Sequence, residues 1–300
     1  MKILNFGSLN IDNVYSVDHF VRPGETISSR SMRVFPGGKG LNQSIALARS
    51  GACVVHAGAV GKDGLFLLEL LQEAGADSSG AAVLEDTPTG HAIIQVDRSG
   101  QNSILLFGGA NQAITEPMVD GVLAGFDAGD WLLLQNEINL NPYIMQKACE
   151  KGMLIALNPS PMDEKIKQLP LELVSLFFVN EIEGAELTGE TEPDLIIARL
   201  SRMAPGCQVV LTLGKQGAAA WDGEKLFCHG IYEVPVVDTT AAGDTFTGFY
   251  LASRMAGETA GQALERASRA SSIAVSRKGA AVSIPTFTEV RETVLTQKKQ

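Results

Sequence analysis

The residues with the clearest chemical potential lie in Asp238-Thr239-Thr240-Ala241-Ala242-Gly243-Asp244-Thr245-Phe246-Thr247-Gly248. A β-branched run, Val234 to Val237 broken only by Pro235, leads into Asp238, and an apolar, helix-compatible segment follows from Phe246 to Met255. Small residues at a helix start let a ligand come close to the backbone. The unpaired N–H groups there, with about half a unit of positive macrodipole charge, suit a phosphate. Asp244 would stand beside that anion. Repulsion makes this a poor place for a purely structural carboxylate and a good one for a base that takes a proton from an attacking hydroxyl. Asp is also favoured as a first-turn helix acid. Local features leave capping and catalysis both open, although Ala241, Ala242 and Gly243 offer no side chain to cover the helix start.

In an open α/β sheet, ligands sit beyond the carboxyl ends of the strands, so polar residues just after strands matter most. Gly7-Ser8-Leu9-Asn10-Ile11-Asp12 follows the first apolar run. Asn10 and Asp12 share a face in extended backbone and could grip neighbouring sugar hydroxyls; a plain turn is the simpler reading of this piece alone. Gly37-Gly38-Lys39-Gly40-Leu41-Asn42-Gln43-Ser44 invites comparison with a P-loop, but GxxxxGK[ST] is absent because Gly40 follows Lys39. Lys39 and Asn42, at i and i+3, could still face one ligand, and a flexible loop is the alternative. Glu137, Asn158 and Asn180-Glu181-Ile182-Glu183 also follow strand-like runs. Carboxylates there could orient a hydrated Mg²⁺ held mainly by phosphates, while Asn180 alone reads as a helix N-cap. Thr212-Leu213-Gly214-Lys215-Gln216-Gly217 could border a nucleotide or be a hairpin turn before Ala218–Trp221.

The elements that must position these groups are legible from periodicity. Apolar runs at Ile3–Phe6, Val54–Val60, Trp131–Leu134, Leu154–Leu157, Leu176–Val179 and Val209–Thr212 read as buried strands. Helical patterns cover Asn42–Arg49, Leu65–Ala74, Pro142–Lys151 and Asp194–Met203. Such alternation predicts an α/β fold, a three-layer sandwich with a mostly parallel central sheet. Ile11–Phe20 with Ile27–Phe35, and His91–Val96 with Ser103–Phe107, look instead like hairpins. They carry more Thr, Ser and charge. The expected division is therefore a core of 1–10, 37–90 and 108–300, with a small inserted β lid of 11–36 and 91–107.

Three hundred residues, 45% of them hydrophobic, suffice for a full core. The net charge of −10 argues against nucleic acid, and no run approaches the ~20 apolar residues of a membrane span. No signal peptide is evident at Met1–Asp12, and Cys53, Cys149, Cys207 and Cys228 form no CxxC pair, which predicts a reduced, cytoplasmic protein. Three of the four histidines, His19, His56 and His229, have no second ligand at metal spacing, and all four read as structural or solvated.

Taken jointly and in this order, the pieces resemble the ribokinase-like sugar kinases, from Gly7-Ser8-Leu9-Asn10-Ile11-Asp12 through Arg277-Lys278-Gly279-Ala280. The segments Gly37 to Gln43 and Asp238 to Phe246 are the most specific. Leu157-Asn158-Pro159-Ser160-Pro161, Asn180 to Glu183 and Leu211 to Gly214 fall between them in the family's order. The resemblance implies an ATP-dependent kinase acting on a primary sugar hydroxyl, with D-ribose the first choice. Fructose, 2-keto-3-deoxygluconate or a nucleoside are the alternatives, and a non-catalytic sensor on the same scaffold is a remoter one. A dinucleotide oxidoreductase would want GxGxxG after the first strand, which Gly7-Ser8-Leu9-Asn10 does not supply. By resemblance Asp244 is the base and Ala241, Ala242 and Gly243 the anion hole. Asn10, Asp12, Gly38, Lys39, Asn42 and Glu137 match sugar-holding positions. Asn180, Thr212, Gly214, Gly217 and Ser268 match the nucleotide pocket, with Ser268 where the family often carries Asn or His. Thr247 likewise replaces a common Asn. Glu183 is the acid linked indirectly to Mg²⁺. Asp238, Thr240, Ala274, Arg277, Gly279 and Ser283 match a monovalent-cation site, with K⁺ expected, and a lid-mediated homodimer is implied.

Overall fold

The computed structural model describes residues 1–298. The chain begins β1 (Ile3–Phe6), β2 (Asn10–Ser16), β3 (Ser31–Gly37), α1 (Lys39–Arg49), β4 (Val54–Gly61), α2 (Leu65–Glu73), β5 (Asp77–Leu84), β6 (Gly90–Val96) and β7 (Asn102–Phe107). It continues α3 (Glu116–Leu123), β8 (Trp131–Gln135), α4 (Asn141–Glu150), β9 (Leu154–Asn158), β10 (Leu176–Asn180), α5 (Glu181–Thr188), α6 (Pro193–Met203) and β11 (Gln208–Thr212). It closes with β12 (Ala218–Trp221), β13 (Leu226–His229), α7 (Ala242–Met255), α8 (Ala260–Val275) and α9 (Phe287–Glu292).

Nine strands form one sheet in the order β13-β12-β11-β10-β9-β8-β1-β4-β5, parallel except where β12 and β13 join as antiparallel neighbours. Its inner strands β1, β8, β10 and β11 are buried on both sides, so their sequences are largely continuous apolar runs rather than alternating ones. Neighbouring residues go to opposite layers. Ile3, Val54, Leu133 and Phe178 pack toward α1, α2, α7 and α8. Leu4, Leu132, Phe177 and Val209 pack toward α3, α4 and α6. The expected three-layer α/β sandwich is what the chain adopts.

A second, four-stranded sheet has the order β3-β2-β6-β7. Its hairpins β2–β3 and β6–β7 are antiparallel and meet through a parallel β2–β6 pair. It leaves the main sheet just past the end of β1, and Asp12 of β2 comes near Glu137 beyond the end of β8. The second hairpin strand starts at Ser31, not Ile27, and α1 starts at Lys39, so the glycine loop runs straight into the helix.

Two local features are not given by residue propensity. Val234–Val237 forms no strand: Pro235 removes a ladder donor, and Val236 and Val237 are 70% and 57% exposed. The run is instead tied to the end of α8 through the Val237 and Asp238 amides, which donate to the Val275 carbonyl (2.8 and 3.2 Å). Strands β5 and β13 carry no signal in the sequence because Ser78-Ser79-Gly80-Ala81-Ala82 and the short Leu226–His229 lack a β-branched run.

Candidate active site

The carboxyl ends of β1 and β8 and the loop before α1 converge on one carboxylate. Glu137, just past β8, accepts from the Ser8 hydroxyl and from the Lys39 amide (2.8 Å). Gly38 makes this possible. Its φ of 97° is a left-handed backbone that disfavours a side chain, and a Cβ there would press on the Ser8 carbonyl at 3.0 Å. Asp12 projects from β2, beside Phe35 of β3 and Ala92 of β6 in the small sheet. Burial, with the Glu137 charge second, pushes the Asp12 carboxyl up to about 6. Burial also raises Glu137 despite its Ser8 and Lys39 partners. Lys39 is different: burial acts to depress its ammonium, but Asp244, Glu137 and Glu183 together outweigh it and hold the group above the usual lysine range.

Asn10 is 7% exposed, and its Oδ1 accepts from Asn111 Nδ2 at 2.7 Å. Asn111 is itself pinned by the Leu9 amide (3.0 Å) and carbonyl (3.2 Å). The Asn10 side-chain amide is therefore turned so that its NH₂ is the group left for a ligand. Asn111 carried no visible signal, because it lies in a 3₁₀ turn between the small sheet and α3, 101 residues from its partner.

Asp244 sits in the first turn of α7 and is 7% exposed. Its Oδ2 accepts from Asn42 Nδ2 (3.0 Å) and its Oδ1 from Gln43 Nε2 (2.9 Å), both on α1. Asn42 keeps a buried Oδ1 with no partner among the described residues. At the helix start, Ala241 has φ 58°, a left-handed conformation costing a non-glycine residue ~1–2 kcal/mol. Thr245 Oγ1 fixes the Ala241 carbonyl at 2.8 Å and Ser271 Oγ of α8 fixes that of Ala242 at 3.1 Å. The Ala242 amide turns back to the Thr239 carbonyl at 3.2 Å, and no side chain caps the helix among the described residues. Of the expected anion hole, Ala242 thus has its amide engaged, while the amides of Ala241 and Gly243, and that of Asp244 after them, have no acceptor outside the helix among the described residues. A strained residue held this firmly at a bare helix start points to function rather than packing.

Lys39 and Asp244 open on a cavity of about 260 Å³, whose lining does not include Asn10, Asp12, Gly38, Asn42 or Glu137. Lys39, Asp244, Ala241 to Gly243 and Thr239 line one side; Asn158, Asn180, Glu183 and Thr212 line the other. Asn180 also caps α5, accepting from the Ile182 and Glu183 amides (2.9 and 2.8 Å), while Glu183 Oε2 accepts from the Asn180 amide (3.0 Å). Capping and cavity lining coexist. Thr212 ends β11 on the cavity, and the following turn is a hairpin to β12. Gly214, Gly217 and Ser268 do not line this cavity. Gly217 has φ 97° and no room for a side chain against the His229 carbonyl, a backbone reason for glycine. Ser268 is buried on α8.

Asp238 gathers the proposed cation loops. It accepts from the Thr240 amide (2.9 Å) and hydroxyl (2.6 Å) with Oδ1, and from the Gly279 amide (3.0 Å) with Oδ2. Burial would raise this carboxyl, but those donors and Lys278 hold it below the ordinary range. Ala274 lies in the last turn of α8, where its carbonyl accepts from the Arg277 amide (3.0 Å); the Arg277 side chain reaches Glu289 (2.7 Å), and Ser283 Oγ donates to the Ala280 carbonyl (2.8 Å). Oxygen donors dominate the neighbourhood, which suits a hard monovalent ion. Among the described residues no three His, Cys, Asp or Glu side chains converge on a metal. A Mg²⁺ here would therefore be held mostly by nucleotide phosphates and water, with Glu183 nearby, and the donor set fits that arrangement.

The geometry has counterparts. The sequence profile of the pfkB family carbohydrate kinases matches residues 1–287. A ribokinase from Haemophilus influenzae is 35% identical over 295 residues, 95% of this chain and 96% of that protein. The structure of Arabidopsis thaliana ribokinase complexed with ribose and ATP superposes with a TM-score of 0.88 at 29% identity, over 97% of both chains. Ribokinase from Cryptococcus neoformans in complex with ADP gives 0.85 at 33% identity, over 97% and 99%. The chain belongs to the pfkB family of carbohydrate kinases.

Proposed function

We propose that the protein transfers the γ-phosphoryl group of ATP to the primary hydroxyl of D-ribose, giving ribose 5-phosphate. One observation carries the chemistry: a carboxylate, Asp244, held by two amide donors at an uncapped helix start, on a cavity shared with Lys39. The choice of ribose rests on the ribokinase relatives.

In this reading Asp12, Asn10, Asn42, Lys39 and Glu137 hold the sugar. Asn10 donates through its NH₂, and Asn42 accepts a hydroxyl proton with its unpartnered Oδ1. Asp244 accepts the proton of the attacking hydroxyl, and the Gly243 and Asp244 amides face the charge that grows on the transferred group. Asn158, Asn180 and Thr212 border the nucleotide, with Gly214, Gly217 and Ser268 flanking it. Mg²⁺, when bound, supplies charge neutralisation of the phosphates. K⁺ beside Asp238 and Gly279 would steady the loop that holds Ala241 in its strained conformation. Catalysis is then positioning and electrostatics.

Segments 11–36 and 91–107 act as a lid that excludes water, and they pair two subunits. Register puts Val34, Ile93 and Leu105 in one row on the face opposite Asp12, and they are 51%, 37% and 67% exposed. A second copy of the same sheet is the occupant that such a face fits. All four cysteines are free, in keeping with a reducing cytoplasm. No helix among the described residues is long and apolar enough to cross a membrane.

The test is product formation from ATP with a panel of pentoses, hexoses, keto acids and nucleosides, with and without K⁺. Ribose is expected to give the highest kcat/KM and K⁺ to raise it. A hexose, keto acid or nucleoside preferred over ribose would overturn the substrate assignment.

A further inference from the structure

Behind Asp244 runs a chain of buried polar side chains that have no part in holding sugar or nucleotide. Gln43 donates to Asp244 Oδ1 at 2.9 Å, and its own Oε1 accepts from Gln135 Nε2 at 2.7 Å. The same Gln135 NH₂ donates to Asn5 Oδ1 at 2.9 Å. Asn5 Nδ2 then reaches the Gly40 carbonyl and Ser44 Oγ, each at 2.8 Å, and Ser44 Oγ meets His56 Nδ1 at 2.8 Å. Gln135 is 1% exposed and the other four are fully buried.

The direction of this chain is forced. A carboxylate and a peptide carbonyl can only accept. Asp244 therefore turns the Gln43 NH₂ toward itself and the Gln43 carbonyl toward Gln135. From the other end, the Gly40 carbonyl turns the Asn5 NH₂ toward itself and the Asn5 carbonyl toward Gln135. Two carbonyls face the same side chain, and only a double donor satisfies both. Gln135 meets this demand while its Oε1 stays buried without a partner among the described residues. A side chain free to choose its orientation would not leave that oxygen stranded.

We propose that Gln135 and Asn5 are positioning residues for phosphoryl transfer. Gln135, donating both ways from β8, locks Gln43 as a donor to the base, and Asn5 of β1 locks the glycine loop through Gly40. The base on α7 and the loop bearing Lys39 are thereby held in register by two strands of the central sheet. The inference rests on reading Asp244 as the base.

The test compares Gln135→Met, which keeps the shape and removes both donors, with wild type. The expected result is a kcat about tenfold lower, the worth of a hydrogen bond to a charged group, with KM for ribose and ATP within about threefold. Without Gln135 the Gln43 carbonyl loses its donor and the Gln43 amide is no longer anchored at Asp244 Oδ1, so the ionised base loses part of its support. The acid limb of the kcat–pH profile should therefore move up by about one unit. The other charged groups facing Asp244, namely Lys39, Glu137 and Glu183, are unchanged by this substitution. In an Asp244→Asn background the same substitution should have no further effect on kcat. Wild-type kcat and pH profile in folded Gln135→Met would overturn the proposal. So would an equal loss of kcat in both backgrounds, which marks a purely structural role. Asn5→Leu is read in the same way should Gln135→Met fail to fold. Asp244→Asn retaining kcat would remove the base assignment itself, a failure distinct from the other two.

Discussion

Replacing Asp244 by Asn changes one oxygen to NH₂ in a setting where both oxygens accept from amides, at 3.0 Å from Asn42 and 2.9 Å from Gln43. The new NH₂ must face one of two donors. Gln43 is fixed by Gln135, but Asn42 is free to turn and offer its unpartnered Oδ1. The hydrogen-bond count is thus recovered, and the stability change is expected to stay within about 1 kcal/mol. That is a Tm shift of no more than about 4 °C for a chain of this size. Turning Asn42 alters one contact to the sugar, so KM for ribose should move less than about fivefold. The proton acceptor, by contrast, is gone, and kcat should fall by ~10²–10⁴, or about 3–5 kcal/mol of transition-state stabilisation. ADP release at saturating ribose and ATP measures the first quantity, and a thermal melt measures the second. A kcat within tenfold of wild type would show that Asp244 does not take the proton. A loss of kcat matched by a large fall in Tm would show that its carboxylate is a structural acceptor instead.

Asp12→Ala should leave kcat nearly intact and raise KM for ribose tenfold or more, since buried hydroxyls lose an acceptor; an unchanged KM would remove Asp12 from the pocket. Asp12 also gives the sugar-free protein a pH signature. Its carboxyl is held at about 6 against an ordinary 3.8, so the folded state binds the extra proton between those values. This contribution to stability is full below pH ~4 and is lost as pH rises through about 6. Tm in that window should fall less steeply in Asp12→Asn than in wild type, and parallel curves would refute the assignment. Leu105→Glu, at a 67% exposed position of β7, should convert a dimer to a monomer in light scattering without lowering kcat more than a few-fold. A dimer that persists would place the interface elsewhere.

The parallel strands were legible because burial on both faces leaves nothing but apolar residues in most of β1, β8, β10 and β11. The loop segments holding Lys39, Glu137 and Asp244 were legible because glycine and charge at strand ends seldom serve packing alone. What remained hidden was every residue whose role is to aim another. Asn111, Gln135 and Asn5 are ordinary polar residues in a turn or within a strand, and the partners of their side-chain amides lie 35 to 130 positions away in sequence. No local pattern encodes such a pairing, because it is created by the sheet order, which places β1 between β8 and β4. Val234–Val237 misleads for the related reason that composition speaks of propensity while the observed conformation answers to the α8 terminus beside it.

The same sheet order explains why the chemistry needs both ends of the chain. Asn42 and Asp244 are 202 residues apart, yet they touch because α1 and α7 pack side by side over β1 and its neighbours. Gly248 permits that approach, since a methyl there would lie 2.9 Å from the Leu47 amide. The sugar loop at the start of α1 and the anion-facing turn at the start of α7 thus share one rigid packing layer. In the proposed lid reading, the small sheet moves over them without disturbing the distance between acceptor hydroxyl and base. A lid of that kind would determine access, and the packed layer beneath it reactivity. Substitutions in the lid should therefore act mainly through KM and subunit association, and those behind Asp244 mainly through kcat.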